Sequence, residues 1–359
     1  MSKQKFYSED GEKVSYSYYL WIVFRLKVRK FIQRLRDFQS RRPHRSFRLT
    51  RHRDAVRPLK LPGYWAFTKS VWQIIKQHKG FFLSLLAIIV IFGIATFGLL
   101  GQDFINLLSD TLEDTGSNVF EGNWGEIGKA GLLLMSVLST GGLASSLTEL
   151  QQTWLILGLI FVWLVIVWAL RRFLADKKPR LRDALYSAGS PIVSTLIVAL
   201  IMIIQLVPVM ISVIIYSAAR STDFLTGGVE TMVFAAAVFL MISLSLYWIT
   251  GSFLALVVVA LPGTYPMQAI KIAGNMVVGR RLKIIWRVLW LLLIDALGIL
   301  LILIPVYLIT AGLSSIFEVV GDLAIVPFAL YVSMCAAIIF SFCYIYMLYR
   351  GIIDSDARK

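Results

Sequence analysis

One acidic residue, Asp295, lies inside a long apolar run and is the first position where chemistry could occur. It follows Arg287 by eight residues, which on a helix is about 12 Å along the axis. A carboxyl group inside a bilayer is costly and usually faces a helix-bundle interior or a wet cavity. Two interpretations stay open: a proton or cation relay, or a structural acid that hydrogen-bonds to a neighbouring helix. We expect its partner at similar depth to be Thr250, Ser252 or Tyr344.

A second polar residue inside an apolar run is Gln205, three residues before Pro208. Proline removes a backbone hydrogen bond and kinks a helix, and broken helices surround the binding sites of many transporters. Prolines are also routine in membrane helices, so a purely structural bend is the alternative. The possible intramembrane polar site therefore consists of Asp295, Gln205, Thr250 and Ser252.

The sequence contains no pattern typical of an enzyme active site. It has no Walker A, HExxH, GxSxG or dinucleotide-binding motif. Cys335 and Cys343 lie eight residues apart, too far for a disulfide on a helix, and are predicted to be buried free thiols. The three histidines lie in the basic N-terminal part of the chain without neighbouring acid pairs: His44, His52 and His78. We therefore predict a protein that is not an enzyme, with no catalytic residues, no bound metal and no cofactor.

The elements that position these residues are long apolar helices. Hydrophobic residues make up 58% of the 359 residues and charged residues only 16%, whereas a soluble domain is nearer half apolar and a quarter charged. A helix needs about 20 apolar residues to cross a bilayer. Six runs meet or approach that length, at about 80–100, 153–170, 191–219, 231–256, 288–313 and 323–349. The predicted fold class is all-α: a polytopic transmembrane helical bundle with six spans in residues 63–350.

The charge is distributed unevenly along the chain. Residues 1–79 hold 20 Lys and Arg against 5 Asp and Glu, whereas the remaining 280 residues hold 16 of each. Six spans place all the basic residues except Lys129 and Arg220 on one side of a membrane. Cytoplasmic loops are rich in Lys and Arg, so we predict a cell-membrane protein with both termini in the cytoplasm.

The predicted topology also indicates the structure of two further segments. Residues 130–147 are expected to form an outer amphipathic helix or a re-entrant segment rather than a seventh span. Residues 351–359 are expected to form a solvated cytoplasmic tail, which includes Asp354 and Asp356.

The basic N-terminal arm, residues 1–62, is predicted to contain an amphipathic helix at 17–36 and a flexible polybasic linker at 37–62. It has three possible roles: binding to an anionic lipid surface, contact with nucleic acid, or simply fixing the topology. We favour lipid and do not expect nucleic acid. The candidate lipid contacts in the arm are Arg25, Arg29, Lys30, Arg34, Arg41 and Arg42. The loops between spans add Arg171, Arg172, Lys177, Lys178, Arg280, Arg281 and Lys283.

Three of the predicted spans are preceded by an amphipathic stretch, at 64–79, 181–190 and 265–287. The third stretch contains MQAIK at 267–271, MVVGRR at 276–281 and IIWR at 284–287. This pattern is similar to that of bacterial six-span membrane proteins of uncharacterised role, which resemble the membrane domain fused to some glycerophosphoryl diester phosphodiesterases. The resemblance implies a six-helix membrane domain. It does not imply the phosphodiesterase reaction, because we expect no catalytic domain with a metal-binding cluster of carboxylates and histidines here.

Within that third stretch, Gly279 suits a helix end, where a left-handed backbone conformation costs glycine nothing. The two arginines that follow it, Arg280 and Arg281, are expected to face lipid phosphates. The alternative is an inner loop that simply follows the positive charge bias of cytoplasmic segments.

From these patterns we expect a non-enzymatic membrane scaffold or accessory protein whose basic cytoplasmic surface faces anionic lipid headgroups. The first alternative is a small-solute or ion transporter or channel that uses Asp295 and the span kinked at Pro208. The second alternative is the membrane part of a lipid-metabolism system. The sequence indicates no particular protein partner.

Overall fold

The computed structural model of the chain describes residues 25, 28–33, 61–99, 147–221, 228–314, 316–317, 319–320 and 323–357. The chain divides into two units, Met1–Val56 and Arg57–Lys359. In the first unit, residues 25 and 28–33, which lie within the predicted helix at 17–36, are helical and exposed. The following predictions lie outside the described residues: the rest of that helix, linker residues 37–60, segment 130–146, and the candidate contacts Arg34, Arg41 and Arg42.

Every helix or strand that the structure describes in the second unit is an α-helix. In chain order the helices are α1 (Tyr64–Gln77), α2 (Lys79–Phe97), α3 (Glu149–Phe173), α4 (Leu181–Ala188), α5 (Ile192–Gln205), α6 (Val207–Ser221), α7 (Gly228–Ser252), α8 (Ala255–Val259), α9 (Pro266–Val277), α10 (Arg281–Ser314) and α11 (Ile325–Ala357). Six stretches are long and apolar enough to cross a membrane: Lys79–Phe97, Glu149–Phe173, Ile192–Tyr216, Thr231–Val259, Arg281–Ser314 and Ile325–Asp356. The predictions of an all-α fold and of six span-length helices are confirmed.

The span helices extend beyond the apolar runs of the sequence. Helix α3 begins at Glu149 rather than at 153 because Thr148 and Gln151 form a capping box. The Gln151 N–H donates to the Thr148 hydroxyl at 3.3 Å, and the Thr148 N–H donates to the Gln151 side chain at 3.0 Å. Helix α11 continues to Ala357, and its Ile352 is fully buried. The predicted tail at 351–359 is therefore wrong for residues 351–357, because packing of Ile352 holds them in the helix.

The third span is interrupted where the sequence predicts a kink. Helix α5 ends at Gln205 and α6 begins at Val207. Leu206 donates its N–H to the Ile203 carbonyl at 3.0 Å, which tightens the last turn of α5. Pro208 has no N–H, so the regular ladder of helical hydrogen bonds stops at this point. Pro305, by contrast, lies inside α10 without ending it.

Each of the helices α2, α5 and α10 follows a short helix, as the three amphipathic stretches predict. These short helices are α1, α4 and α9. Helix α9 ends at Val277, and Gly279 has a φ of +77°. Only glycine adopts this left-handed conformation without strain, so the predicted helix end at Gly279 is confirmed.

The two ends of the second unit differ in charge. We define the basic end as the end where α2, α5 and α10 begin and where α3, α8 and α11 finish, together with α1, α4 and α9. Ring contacts join these elements: His78 stacks on Phe173 with 3.8 Å between ring centroids, and Phe67 lies edge-on to Tyr344 at 4.8 Å. At the opposite end, the Gln151 side chain donates to a carbonyl in the last turn of α2 at 2.8 Å.

The apolar core lies mainly among α1, α2, α3, α8 and α11. Trp163 lies edge-on to Phe342, with 5.0 Å between ring centroids, and donates its indole N–H to the Leu256 carbonyl at 3.1 Å. At Gly93, α2 approaches α11 so closely that the Tyr331 hydroxyl lies where a Cβ would be. Many large apolar side chains of α5, α6, α7 and α10 are exposed instead, as expected for surfaces that face lipid.

Candidate functional site

The acid inside the fifth span has a single side-chain partner among the described residues. The Ser341 hydroxyl on α11 donates to the Asp295 carboxylate on α10. The predicted partners Thr250, Ser252 and Tyr344 are therefore wrong, because α10 runs beside α11 and presents Asp295 to Ser341 there. The contact joins two helices, as the structural interpretation of Asp295 requires.

The other residues of the possible polar site lie elsewhere. Gln205 donates to the Ser252 hydroxyl at 2.8 Å and so joins the kink of the third span to the end of α7. The second polar atom of this side chain, Gln205 Oε1, is buried without a hydrogen-bond partner among the described residues. Thr250 donates only within its own helix, to the carbonyls of Leu246 and Tyr247. The predicted site is thus divided into separate pairs and does not form one cluster.

Arg280 forms a buried ion pair with the end of the last helix. Its side chain is completely buried, and its two terminal nitrogens donate to the two carboxylate oxygens of Asp356, which is about one-third exposed. The prediction that Arg280 faces lipid phosphates is wrong, because the carboxylate of Asp356 already binds its guanidinium. The prediction of a solvated Asp356 is wrong for the same reason. Seventy-six residues separate the two partners, so no local sequence pattern indicates the pair.

Arg281 is also engaged by the protein. Its guanidinium lies over the Tyr247 ring, 3.6 Å from the ring centroid, and donates to the Tyr247 carbonyl. The side chain is half-buried. This contact ties the start of α10 to α7, and stacking of this kind stabilises the position of an arginine.

Arg287 is a third buried arginine, only 6% exposed. It donates to the Pro62 carbonyl, and its guanidinium lies 5.1 Å from the ring centroids of Tyr64 and Phe67. Its Nη1 has no hydrogen-bond partner among the described residues. These contacts fix the start of α1 against α10, a role that the sequence did not reveal.

A polar pocket opens at the basic end, with a volume of about 430 Å³. It lies between the end of α3, the corner from α4 to α5 and the turn from α8 to α9. We call it the serine–arginine pocket after its polar lining, which is Arg171, Arg172, Ser187, Ser190, Ser194 and Thr264. The two arginines were predicted lipid contacts. The serines were missed, although three of them within eight residues around Pro191 are an unusual feature beside an apolar run.

Most polar side chains of this pocket make no hydrogen bond or ion pair with the described residues. Thr264 donates to the carbonyls of Val258 and Leu261 at 2.8 Å, which closes the turn after α8. The Arg172 guanidinium lies 5.1 Å from the centroid of a Trp168 ring. Within the described part of the chain, neither arginine pairs with a carboxylate and none of the three serine hydroxyls has a hydrogen-bond partner. The pocket therefore presents unused positive charge and unused donors.

An apolar groove of about 420 Å³ lies between α2 and α3. Gly93 and Gly158 contribute to its wall, and Trp154 lies toward the end away from the basic end. Leu185 of α4 and Ile192 of α5 also line it. These two residues belong to the same corner that carries the serines of the serine–arginine pocket, so the groove and the pocket share that corner.

His78 lies between α1 and α2, ahead of the first span. Partial burial against Phe173 lowers its pKa from the ordinary value of 6.5, and the nearby positive charge of Lys178 lowers it further. The imidazole is therefore mainly neutral at pH 7 and stacks on Phe173 as an apolar ring.

The remaining predicted lipid contacts in the described residues are exposed side chains: Arg25, Arg29, Lys30, Lys177, Lys178 and Lys283. No group of three or more His, Cys, Asp or Glu side chains in the described residues could hold a metal ion. No protein-family model, no curated protein and no solved structure matches this chain. The resemblance to the phosphodiesterase-linked membrane domain therefore stays a prediction.

Proposed function

We propose that this chain is a multi-pass protein of the cell membrane with both termini in the cytoplasm. We propose further that it acts as a non-enzymatic scaffold or accessory protein and that its basic end engages anionic lipid headgroups. The observation that carries the proposal is the position of the charges. Of the Lys and Arg residues that the structure describes between 61 and 357, all except Arg220 belong to the basic end.

The physical argument has two parts. Positive residues are retained on the cytoplasmic side during insertion, which assigns the basic end to the cytoplasm. The inner leaflet carries anionic lipids, and each Lys or Arg near its surface contributes about 1 kcal/mol of attraction. Exposed residues such as Lys177 and Lys283 can supply this attraction, whereas Arg280 and Arg287 stabilise the fold.

The transport alternative has less support. A transport path needs polar groups that follow one another through the bundle. The described polar side chains form separate pairs instead, Asp295 with Ser341 and Gln205 with Ser252. We therefore expect proteoliposomes that contain a pH-sensitive dye to leak protons no faster than empty vesicles. A leak that Asp295→Asn abolishes would favour the relay.

The lipid proposal is tested with the full chain, purified in detergent and mixed with equal amounts of phosphatidylglycerol and phosphatidylcholine. Native mass spectrometry then counts the bound lipid of each kind. We expect several-fold enrichment of phosphatidylglycerol at low salt, and the enrichment should fall as salt screens the charges. Equal binding of the two lipids at low salt would contradict the proposal.

A further inference from the structure

We propose that the serine–arginine pocket binds the phosphate of an anionic phospholipid headgroup. This inference rests on the proposed function and deepens it. The proposed function assigns lipid attraction to the basic end as a whole, whereas this inference assigns a specific headgroup site to one pocket.

The side chains of the pocket have the chemistry that binds phosphate. An arginine guanidinium presents its N–H donors in a planar fork that matches two phosphate oxygens. Serine hydroxyls donate to the remaining oxygens. Arg171 and Arg172 lie on one wall, and Ser187, Ser190 and Ser194 lie on the facing corner. The pocket volume of about 430 Å³ exceeds the space that a phosphate group alone requires.

These groups are available because the described residues do not satisfy them. The carboxylates nearest in sequence to the arginines, Asp176 and Asp183, make no ion pair with them, and Asp183 pairs with Arg182 at 3.8 Å. The three serine hydroxyls have no partner in the described part of the chain. Donors that are already grouped but unpaired bind an anion at a low cost in conformational entropy.

The start of α5 adds to the positive potential of the pocket. Pro191, the N-cap residue of α5, and Ser194 in its first turn both line the pocket. The helix has 14 residues and no side-chain cap at its N-terminus. The Ile192 N–H donates to the Gly189 carbonyl, so the N–H groups of Val193 and Ser194 are those open to an anion. This contribution reinforces the two arginines, which carry the main argument.

The surroundings favour a lipid over free phosphate. The pocket lies where α3 meets the start of the span-length stretch Ile192–Tyr216 at the basic end, which is headgroup level if these two stretches cross a bilayer. Its remaining wall is apolar and includes Leu164, Val259 and the ring of Trp168. The corner that carries the serines also borders the apolar groove. A phospholipid has an apolar part for such walls, whereas inorganic phosphate has none.

The test compares two double variants that remove the same charge from the same loop region. Arg171→Gln with Arg172→Gln removes the pocket arginines, and Lys177→Gln with Lys178→Gln removes two exposed lysines outside the pocket. A third variant, Ser190→Asp, places a negative charge at the pocket while complementing the N-terminus of α5, so its folding is preserved. Each protein, purified in detergent as the full chain, is titrated with dihexanoyl phosphatidylglycerol, dihexanoyl phosphatidylcholine and inorganic phosphate, with tryptophan fluorescence as readout.

We expect saturable binding of phosphatidylglycerol that weakens roughly tenfold or more in the arginine double variant, because each charge-assisted hydrogen bond contributes about that factor. Ser190→Asp should weaken binding in the same direction, and the lysine double variant, which removes only screened attraction at the surface, should weaken it several-fold less than the arginine double variant does. If the wild-type protein prefers phosphatidylglycerol but the two double variants weaken its binding equally, the assignment of the phosphate site to this pocket is wrong. The proposed function would then remain intact. Binding of inorganic phosphate as tight as that of phosphatidylglycerol would overturn the lipid assignment. A wild-type protein without any preference for phosphatidylglycerol over phosphatidylcholine would overturn the proposed function itself.

Discussion

The ion pair between Arg280 and Asp356 supports the most specific prediction about stability. The change is Asp356→Asn, which keeps the shape of the side chain but removes its charge. Arg280 is completely buried, so the variant leaves a buried guanidinium without its carboxylate. Breaking one partner of a buried ion pair costs about 3–5 kcal/mol. Because the Asp356 side chain is 34% exposed, we take the lower limit of about 3 kcal/mol.

The same helix end offers a matched control. Asp354 pairs with Arg350 at 3.4 Å, and both side chains are about half exposed. Exposed pairs four residues apart on a helix contribute only about 0.3–0.5 kcal/mol. Asp354→Asn removes the same charge two residues away, so its effect on the free energy of unfolding should be several times smaller.

The assay uses the two free cysteines, which are both buried. A thiol-reactive dye labels Cys335 and Cys343 only when the protein unfolds, so its fluorescence reports the melting temperature. At roughly 2–4 °C per kcal/mol, Asp356→Asn should lower the melting temperature by about 6–12 °C, and Asp354→Asn by about 2 °C or less. Equal melting temperatures for the two variants would refute the assignment of the buried pair.

Two further predictions concern the packing and charge of single residues. Gly93→Ala should destabilise the protein by about 1–3 kcal/mol, because its Cβ would coincide with the Tyr331 hydroxyl, whereas Gly158→Ala meets nothing within 4 Å and should not destabilise it. The same dye assay measures both, and a harmless Gly93→Ala would contradict the close approach of the helices. Lys178→Gln should raise the pKa of His78 toward 6.5, because one of the two causes of its lowering is removed. NMR titration of the labelled imidazole measures this pKa, and an unchanged value would show that Lys178 does not act on it.

The His78 prediction also has a consequence for stability. A histidine whose pKa is lowered in the folded state binds fewer protons there than in the unfolded state. Its contribution to stability is therefore fully present above pH 6.5 and is lost as the pH falls from 6.5 through the lowered pKa. Lys178→Gln should make this loss smaller, because it brings the folded-state pKa closer to 6.5.

The number of long helices could be predicted from sequence because it depends on a local property. An uncharged run of about 20 residues has few stable alternatives to a membrane-spanning helix. The turn at Gly279 and the kink before Pro208 were predictable for the same reason, since glycine and proline restrict the backbone locally. Helix ends were less accurate, because the capping box of Thr148 and the buried Ile352 extend helices into polar sequence.

The partners of the polar residues could not be predicted, because they depend on which helices lie side by side. Asp295 lies close to Ser341, and Arg280 pairs with Asp356 across 76 residues of chain. Nothing in the local sequence distinguishes Arg280 from its neighbour Arg281, although one is buried and the other half-buried. The serine–arginine pocket likewise combines the end of α3, the corner from α4 to α5 and the turn from α8 to α9, so the importance of its serines is visible only once the fold is known.

The orientation of the basic end is the central claim, and cysteine labelling of intact cells tests it most directly. Ala175→Cys and Leu150→Cys place one reactive thiol at each end of α3, both at exposed positions. The wild-type protein is the control, because its own cysteines are buried. We predict that a membrane-impermeant maleimide labels Leu150→Cys in intact cells and labels Ala175→Cys only after the cells are opened. Labelling of Ala175→Cys in intact cells, with Leu150→Cys protected, would contradict the account.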